Sequence, residues 1–303
     1  MSDGDIQAIS RLVYDLCGLT LDGSKGYLIE SRLGEIATAA RCGNFAELAQ
    51  KARSPEGRTI QTAIVDAITT QETLFFRDES PFDTLQYKVL PDLIDARTRT
   101  PLARRLRILS AACSTGQEPY SLAMTLRETI PDIALWNISI LGVDISNAAI
   151  RQASYGVFAN HEIQRGMKPR LLQKYFHPEG NSWKANDDLR AMLTFTRRNL
   201  LQPISDLGPF DIIFCRNVAI YFDATTRRDL FFRLADRLAP DGCLFVGSSE
   251  CLVDLGPRFS PRHHCRGSYY QPASTGGSTP ILNVTTPQFV PAGLSSPTFA
   301  LSR

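Results

Sequence analysis

No stretch of the 303-residue chain approaches the roughly 20 consecutive apolar residues that cross a bilayer, so no membrane insertion is expected. The first residues, MSDGDIQAIS, lack the basic segment and apolar run of a secretory leader, and the expected compartment is the cytoplasm. Seven cysteines stand at 17, 42, 113, 215, 243, 251 and 265, with no two at C-x-x-C spacing. That odd, scattered set argues against a disulfide framework or a zinc ribbon, and no metal is expected. An excess of either charge is also missing: 33 Lys and Arg face 31 Asp and Glu, for a formal net charge of +2. A nucleic-acid coat or a generally membrane-seeking surface is thereby disfavoured. Histidine is scarce, at 161, 177, 263 and 264, and surface or loop roles are expected for all four. There are no internal repeats.

What the chain does have is a change of pattern along its length. Ile6, Ile9, Leu12, Val13 and Leu16 recur at helical spacing, and Cys17-Gly18 breaks the run. A second amphipathic stretch runs from Gly26 to Ala40 and ends at Arg41-Cys42-Gly43-Asn44. Residues 45–52 and 59–68 supply two more short helices, so residues 1–75 read as an all-helical domain. From Arg107 the pattern becomes α/β. Residues 108–113, 138–144, 211–215 and 243–246 are short apolar strands, with helices expected over 118–128 and about 225–238. Ser146 is placed to N-cap the helix after the second strand, and Pro240-Asp241-Gly242 is expected to turn the chain into the last. Strands apolar on both faces and alternating with helices indicate a covered parallel sheet. Residues 156–200, where Trp183 and Phe195 stand out, read as a small antiparallel excursion with an inserted helix. Residues 272–303 are rich in Ser, Thr, Pro and Gly and read as a disordered tail.

In open α/β sheets the ligand lies beyond the carboxyl ends of the strands. After the first strand, Ala112, Ser114 and Gly116 are small residues at alternate positions, which lets a backbone approach a ligand closely. Asp144 ends the second strand, where a carboxylate can accept both ribose hydroxyls of an adenosine. Loop and acid together favour an adenosine-type ligand. They do not decide between a dinucleotide and S-adenosylmethionine, although the shortage of glycines leans away from a pyrophosphate. Polar Arg216-Asn217 follows the third strand directly, and Tyr221 lies just beyond, where a core role competes with a site role.

Three segments, Thr69-Thr70-Gln71-Glu72-Thr73-Leu74-Phe75-Phe76-Arg77, Ala112-Cys113-Ser114-Thr115-Gly116-Gln117-Glu118-Pro119-Tyr120-Ser121 and Phe214-Cys215-Arg216-Asn217-Val218-Ala219-Ile220-Tyr221-Phe222, resemble the CheR-type chemoreceptor glutamate methyltransferases. The resemblance runs from about residue 5 to 271. It implies a Rossmann-like class I methyltransferase domain over 76–271 with a small inserted antiparallel β-subdomain, preceded by the all-helical N-terminal domain. It implies S-adenosyl-L-methionine as cofactor, with contacts from Gln71, Thr73, Arg77, Glu118, Asp144, Asn199, Leu200, Arg216 and Asn217. In this scheme Asp144 takes the ribose, Asn199 and Leu200 flank the adenine, and Arg216 and Asn217 close the methionine end. Tyr221 lies next to the transferring methyl. Arg77 and Arg216 are cations suited to holding carboxylates, one of them the cofactor's own.

The implied reaction is methyl transfer to glutamate side chains of a chemoreceptor's cytoplasmic domain, by an enzyme expected to be a monomer. A glutamate is already a carboxylate at pH 7, so no general base is needed, and none of the three motifs contains a histidine. The sequence departs from the family in four places. Gln71 stands where Asn is usual, and Gln117 replaces a common Glu. The second helix, Ser31 to Arg41, has only two arginines where the family carries an Arg-rich face, and the segment from Pro178 to Asn186 is short for a subdomain that docks receptor tails. Two further readings keep the fold: the same chemistry on a non-chemotaxis signalling protein, and a cofactor-binding scaffold without activity. A nucleic-acid amino-methyltransferase would carry an Asn-Pro-Pro-aromatic turn where this chain has Arg216-Asn217-Val218-Ala219.

Overall fold

The structure, a computed structural model, describes residues 1–21, 25–98 and 104–273; the tail expected over 272–303 lies almost wholly outside them. Four helices open the chain: α1 Asp3–Cys17, α2 Gly26–Ala39, α3 Phe45–Ala52 and α4 Arg58–Ile68. Local chemistry fixes their ends. Ser2 and Asp5 form a capping box at the start of α1, Gly18 closes α1 in the left-handed conformation, and the Asn44 side chain caps α3. Ile9, Leu12, Val13, Ile29, Leu33, Leu48 and Ile64 turn inward at helical spacing and make one buried cluster.

A helical segment then runs as α5 Ser80–Thr84, a π-helical turn Leu85–Val89 and α6 Leu90–Thr98. Phe82, Leu85, Val89 and Leu93 recur at helical spacing along it and are buried, a periodicity interrupted by the π-helical turn. The remaining elements in chain order are β1 Arg105–Ala111, α7 Gln117–Thr129, β2 Asn137–Asp144, α8 Asn147–Tyr155, β3 Val157–Ala159, α9 Asn160–Ile163, α10 Pro169–Tyr175, β4 Phe176–Glu179, β5 Ser182–Ala185, α11 Asp187–Arg190, β6 Leu193–Arg197, β7 Phe210–Cys215, α12 Ala224–Ala235, β8 Leu238–Phe245, β9 Phe259–His264 and β10 Gly267–Pro272. Ser146 caps α8 as expected, its hydroxyl accepting from the N–H of Ala149.

Among the described residues the main sheet has seven strands in the order β6-β2-β1-β7-β8-β10-β9. β1 pairs in parallel with β2 and β7, β2 with β6, and β7 with β8. β10 runs antiparallel to both β8 and β9. The sheet is therefore mixed: the expected parallel strands are present, and an antiparallel strand that the pattern did not indicate is added beside β8. The polar, exposed run of Arg262 and His263 in β9 hides a strand from hydrophobic pattern reading. Pro240-Asp241-Gly242, expected to turn the chain into the last strand, stands elsewhere. Those residues do not precede the strand but lie inside β8, at a break in its register with β7. Asp241 there meets Arg97 at 2.9 Å, and Arg97 also reaches Asp211 at the start of β7. The antiparallel excursion is present as a three-stranded sheet, β3-β5-β4. No helix among the described residues is long and apolar enough to cross a membrane.

From β1 the chain proceeds outward through β2 to β6, then returns to β7 on the other side of β1. The reversal leaves a crevice beyond the carboxyl ends of β1 and β7.

Candidate active site

A cavity of about 350 Å³ fills that crevice. Gln71, Thr73, Arg77, Glu118, Asp144, Asn199, Leu200, Arg216, Asn217 and Tyr221 all line it, so the structure brings every sequence-proposed site residue to one hollow. Both parts of the chain build it: Cys17, Leu19, Thr20, Leu21 and Leu28, from α1, α2 and the loop between them, face the strand ends.

The floor is the loop after β1. Ala112, Ser114 and Gly116 have φ of 62°, 50° and 102°. This left-handed backbone curls the chain and explains the small side chains. At Gly116, which starts α7, a Cβ would also lie 2.9 Å from that of Ala153. Asp144 is buried against this loop. One of its oxygens accepts from the N–H of Ser114 at 2.8 Å and the other from the N–H of Ser146 at 2.9 Å. Burial pushes its carboxyl up from the ordinary range, against the pull of those two N–H groups. The Ser114 hydroxyl donates to Gln71 Oε1 at 2.9 Å, so the longer amide found here reaches across to the floor.

The far wall centres on Arg216. Its side chain is 1% exposed and meets Asp78 at 2.8 Å, Glu118 at 3.1 Å and the carbonyl of Arg77 at 2.8 Å. It holds the protein's own carboxylates while also lining the cavity, and its Nε has no partner among the described residues. A single buried guanidinium thereby ties the 77–78 loop to α7. Glu118 also accepts from the Ser110 hydroxyl at 2.7 Å. Arg77 donates to the carbonyl of Glu72 at 3.0 Å and stays at the cavity wall. Asn199 has its side chain engaged, donating to the carbonyl of Leu16 at 2.9 Å and accepting from the N–H of Leu201 at 3.0 Å. It thus ties α1 to the segment after β6. Tyr221 sits at the rim, 41% exposed.

Two contributors escaped sequence reading. Arg32 of α2 extends to the last carbonyls of α4, donating to Ile68 O at 3.0 Å, and so fixes where the 69–77 loop enters the cavity. Glu250 accepts from the N–H groups of Asn217, Ala219 and Gly247. Neither residue lies in a motif, and long-range side-chain-to-backbone bonds leave no periodic signal. Cys17 and Cys113 also line the cavity, and burial pushes the Cys17 thiol up to about 11 and the Cys113 thiol well above its ordinary range.

A sheet in this order, with an antiparallel strand beside its edge and a ligand-sized hollow at the reversal point, defines the class: a class I S-adenosylmethionine-dependent methyltransferase, with a small antiparallel sheet inserted and a helical domain in front. Comparison with known proteins narrows this. Residues 71–265 match the domain described as CheR methyltransferase, SAM binding domain, and residues 4–69 match CheR methyltransferase, all-alpha domain. The chain belongs to the CheR methyltransferase family. It is 38% identical over 258 residues to Chemotaxis protein methyltransferase 1 of Pseudomonas aeruginosa, covering 84% of this chain and 92% of that protein. It is 36% identical over 278 residues to Chemotaxis protein methyltransferase Cher2 of Pseudomonas putida, covering 89% and 99%. The Chemotaxis protein methyltransferase of Vibrio parahaemolyticus is 37% identical over 263 residues, with coverage of 86% and 93%. The residues present fit S-adenosylmethionine. A left-handed small-residue loop and a buried strand-end carboxylate stand at one end of the cavity, and a second carboxylate, Glu118, stands near its other wall.

Proposed function

We propose that the chain is a protein-glutamate O-methyltransferase acting on glutamate carboxylates in the cytoplasmic domain of a chemoreceptor. The observation that carries the reading is that the described cavity residues include no histidine and no unengaged carboxylate. No histidine lines the cavity. Its acids are engaged: Asp144 by two backbone N–H groups, Glu118 by Ser110 and Arg216, and Glu72 by Arg165. Such a site suits a nucleophile that is ionised already, as a glutamate is at pH 7, and suits a neutral amine or hydroxyl poorly.

When bound, S-adenosylmethionine supplies an electrophilic methyl group on a positively charged sulfur. Asp144 would hold the ribose, Asn199 and Leu200 the adenine, and Gln71, Thr73, Glu118 and Asn217 the remainder. Arg216 acts indirectly, by fixing Glu118 and the Arg77 backbone. Arg77 and Tyr221, at the wall and rim, are the groups placed to meet an incoming carboxylate. Aligning two reactants in this way contributes about 7–11 kcal/mol in favourable systems. The names of the curated relatives support a chemoreceptor as partner.

One observation favours a second acceptor class, a non-chemotaxis signalling protein. Of the two arginines on α2 and at its end, Arg32 is engaged by the carbonyls of α4, which leaves Arg41 exposed and thins the basic face available to an acidic receptor. A tritiated-methyl transfer assay against receptor cytoplasmic domains tests both. Base-labile label on a receptor domain is the expected result. Base-stable label would contradict carboxyl methylation, and an active enzyme that labels no receptor domain would redirect the search to other signalling proteins.

A further inference from the structure

The loop after β7 presents Asn217 and Tyr221 to the cavity, yet little in its own sequence holds it in shape. Asn217 has φ of 57°, in the left-handed region, which Asn enters more readily than other side-chain-bearing residues but does not hold without support from its surroundings. Residues 219–221 form a single 3-10 turn. The constraint comes from the next strand end. After β8, residues 247–250 close a turn in which the Glu250 N–H donates to the Gly247 carbonyl at 2.9 Å. The turn folds the Glu250 side chain back beneath the β7 loop. One carboxylate oxygen accepts from Asn217 N at 2.8 Å and from Gly247 N at 2.7 Å, while the other accepts from Ala219 N at 3.0 Å. Three backbone donors from two strand-end loops thus converge on one half-buried carboxylate. The packing leaves no slack: a Cβ on Gly247 would lie 2.7 Å from the Glu250 oxygen and 2.8 Å from the Asn217 amide.

We infer that Glu250 is a positioning residue for methyl transfer: it sets the left-handed turn at Asn217 and so aims Asn217, and Tyr221 behind it, into the cofactor cavity. The inference builds on the reading of Asn217 as a cofactor contact. Only a carboxylate does this. An ionised Glu accepts at both oxygens, whereas a Gln at this place turns an NH₂ donor toward an N–H donor and strands either Ala219 or the Asn217 and Gly247 pair.

The test is calorimetric titration of S-adenosylmethionine into the full chain and into Glu250→Gln, Glu250→Asp, Asn217→Ala and the Asn217→Ala/Glu250→Gln double variant. Stoichiometry counts folded sites and Kd reads their geometry. Glu250→Gln is expected to bind about tenfold more weakly at unchanged stoichiometry, the usual scale for losing a charge-assisted hydrogen bond. Glu250→Asp, which keeps the charge on a shorter arm, should recover part of the loss. The double variant should bind no more weakly than the weaker single variant, because both act through one side chain. Binding by Glu250→Gln within twofold of the parent, beside a weakened Asn217→Ala, would overturn the inference and leave the Asn217 assignment standing. Unchanged binding by Asn217→Ala would remove the assignment itself. Reduced stoichiometry at constant Kd would make Glu250 a folding residue only, and additive losses would show that it does not work through Asn217. If Glu250→Gln does not fold, Glu250→Asp carries the same comparison.

Discussion

Asp144 shows how one side chain can carry two duties at the residue scale. Its oxygens lock the β1 loop through Ser114 and start α8 through Ser146, and the same carboxylate faces the cavity. Because burial raises its pKa, protonation begins at a higher pH than for an ordinary aspartate. A protonated Asp144 must turn a hydroxyl toward groups that are themselves donors, so the loop loses a contact. Affinity for S-adenosylmethionine should therefore fall as pH drops from 7, starting above the usual aspartate range near 3.9. In Asp144→Asn this pH dependence should vanish and binding should be weaker throughout; titration calorimetry between pH 7 and 4.5 checks it. Tyr221 has a different profile. It stands at the rim with no side-chain task in the fold, so Tyr221→Phe should lower turnover by roughly tenfold while changing cofactor affinity less than about threefold. A larger change in affinity than in turnover would contradict its place beside the transferring methyl. The sequence singled out Asp144 because it ends an apolar strand, whereas the role expected of Tyr221 rested on the resemblance and not on its place after β7. It left open how Arg216 is held, since charge alone does not say whether a guanidinium will find partners within the protein.

At the scale of the element, helices were readable where caps and periodicity agreed, as in α1, α3 and α8. They were less readable where a π-helical turn shifts the apolar stripe, as between α5 and α6. β8 carries Pro and Gly within a strand, a pair that reads as a turn until Arg97 is seen gripping the bulge. The link between α7 and α10 also needs the three-dimensional view. Glu128, near the end of α7, accepts from Lys174 at 2.6 Å and from the Tyr175 hydroxyl at 2.7 Å, and pairs with Arg170. Burial works against its charge, but these three donors outweigh burial and pull its pKa down to about 2 from near 4.5. A carboxylate depressed in the folded state stabilises fully above its unfolded pKa and loses that contribution as pH falls toward the folded one. Glu128→Gln should therefore melt below the parent at pH 7, and the gap should narrow below about pH 4.5 and close near pH 2. Thermal melts across that range measure it, and a gap that widened on acidification would contradict the pairing.

The whole molecule has its site at the seam between its helical and α/β parts. Asn199 holds Leu16, Tyr14 reaches Asp223 at 2.8 Å, and Asp66 accepts from Ser146 at 2.7 Å. Bound S-adenosylhomocysteine should accordingly protect both parts together. At a concentration of 100 Kd it should add about 2.7 kcal/mol to the stability of whatever unfolds as a unit with the cavity. Calorimetry with and without the product should show transitions of both parts moving upward. A helical transition that stays fixed while the α/β transition rises would deny the seam a thermodynamic role. The sequence could place two domains but not this seam, because Leu19, Leu21 and Leu28 look the same in a pattern whether they fill a helical core or cover a ligand.

That shared roof ties the histories of the two parts. A chimera that joins this α/β part to a relative's helical domain inherits half of a foreign ceiling, so its affinity for the cofactor should follow the residues at positions 17, 19–21, 25, 28 and 32 and not the catalytic motifs it keeps intact. Exchanging the front domain to redirect the enzyme toward a new target therefore also retunes its grip on the methyl donor.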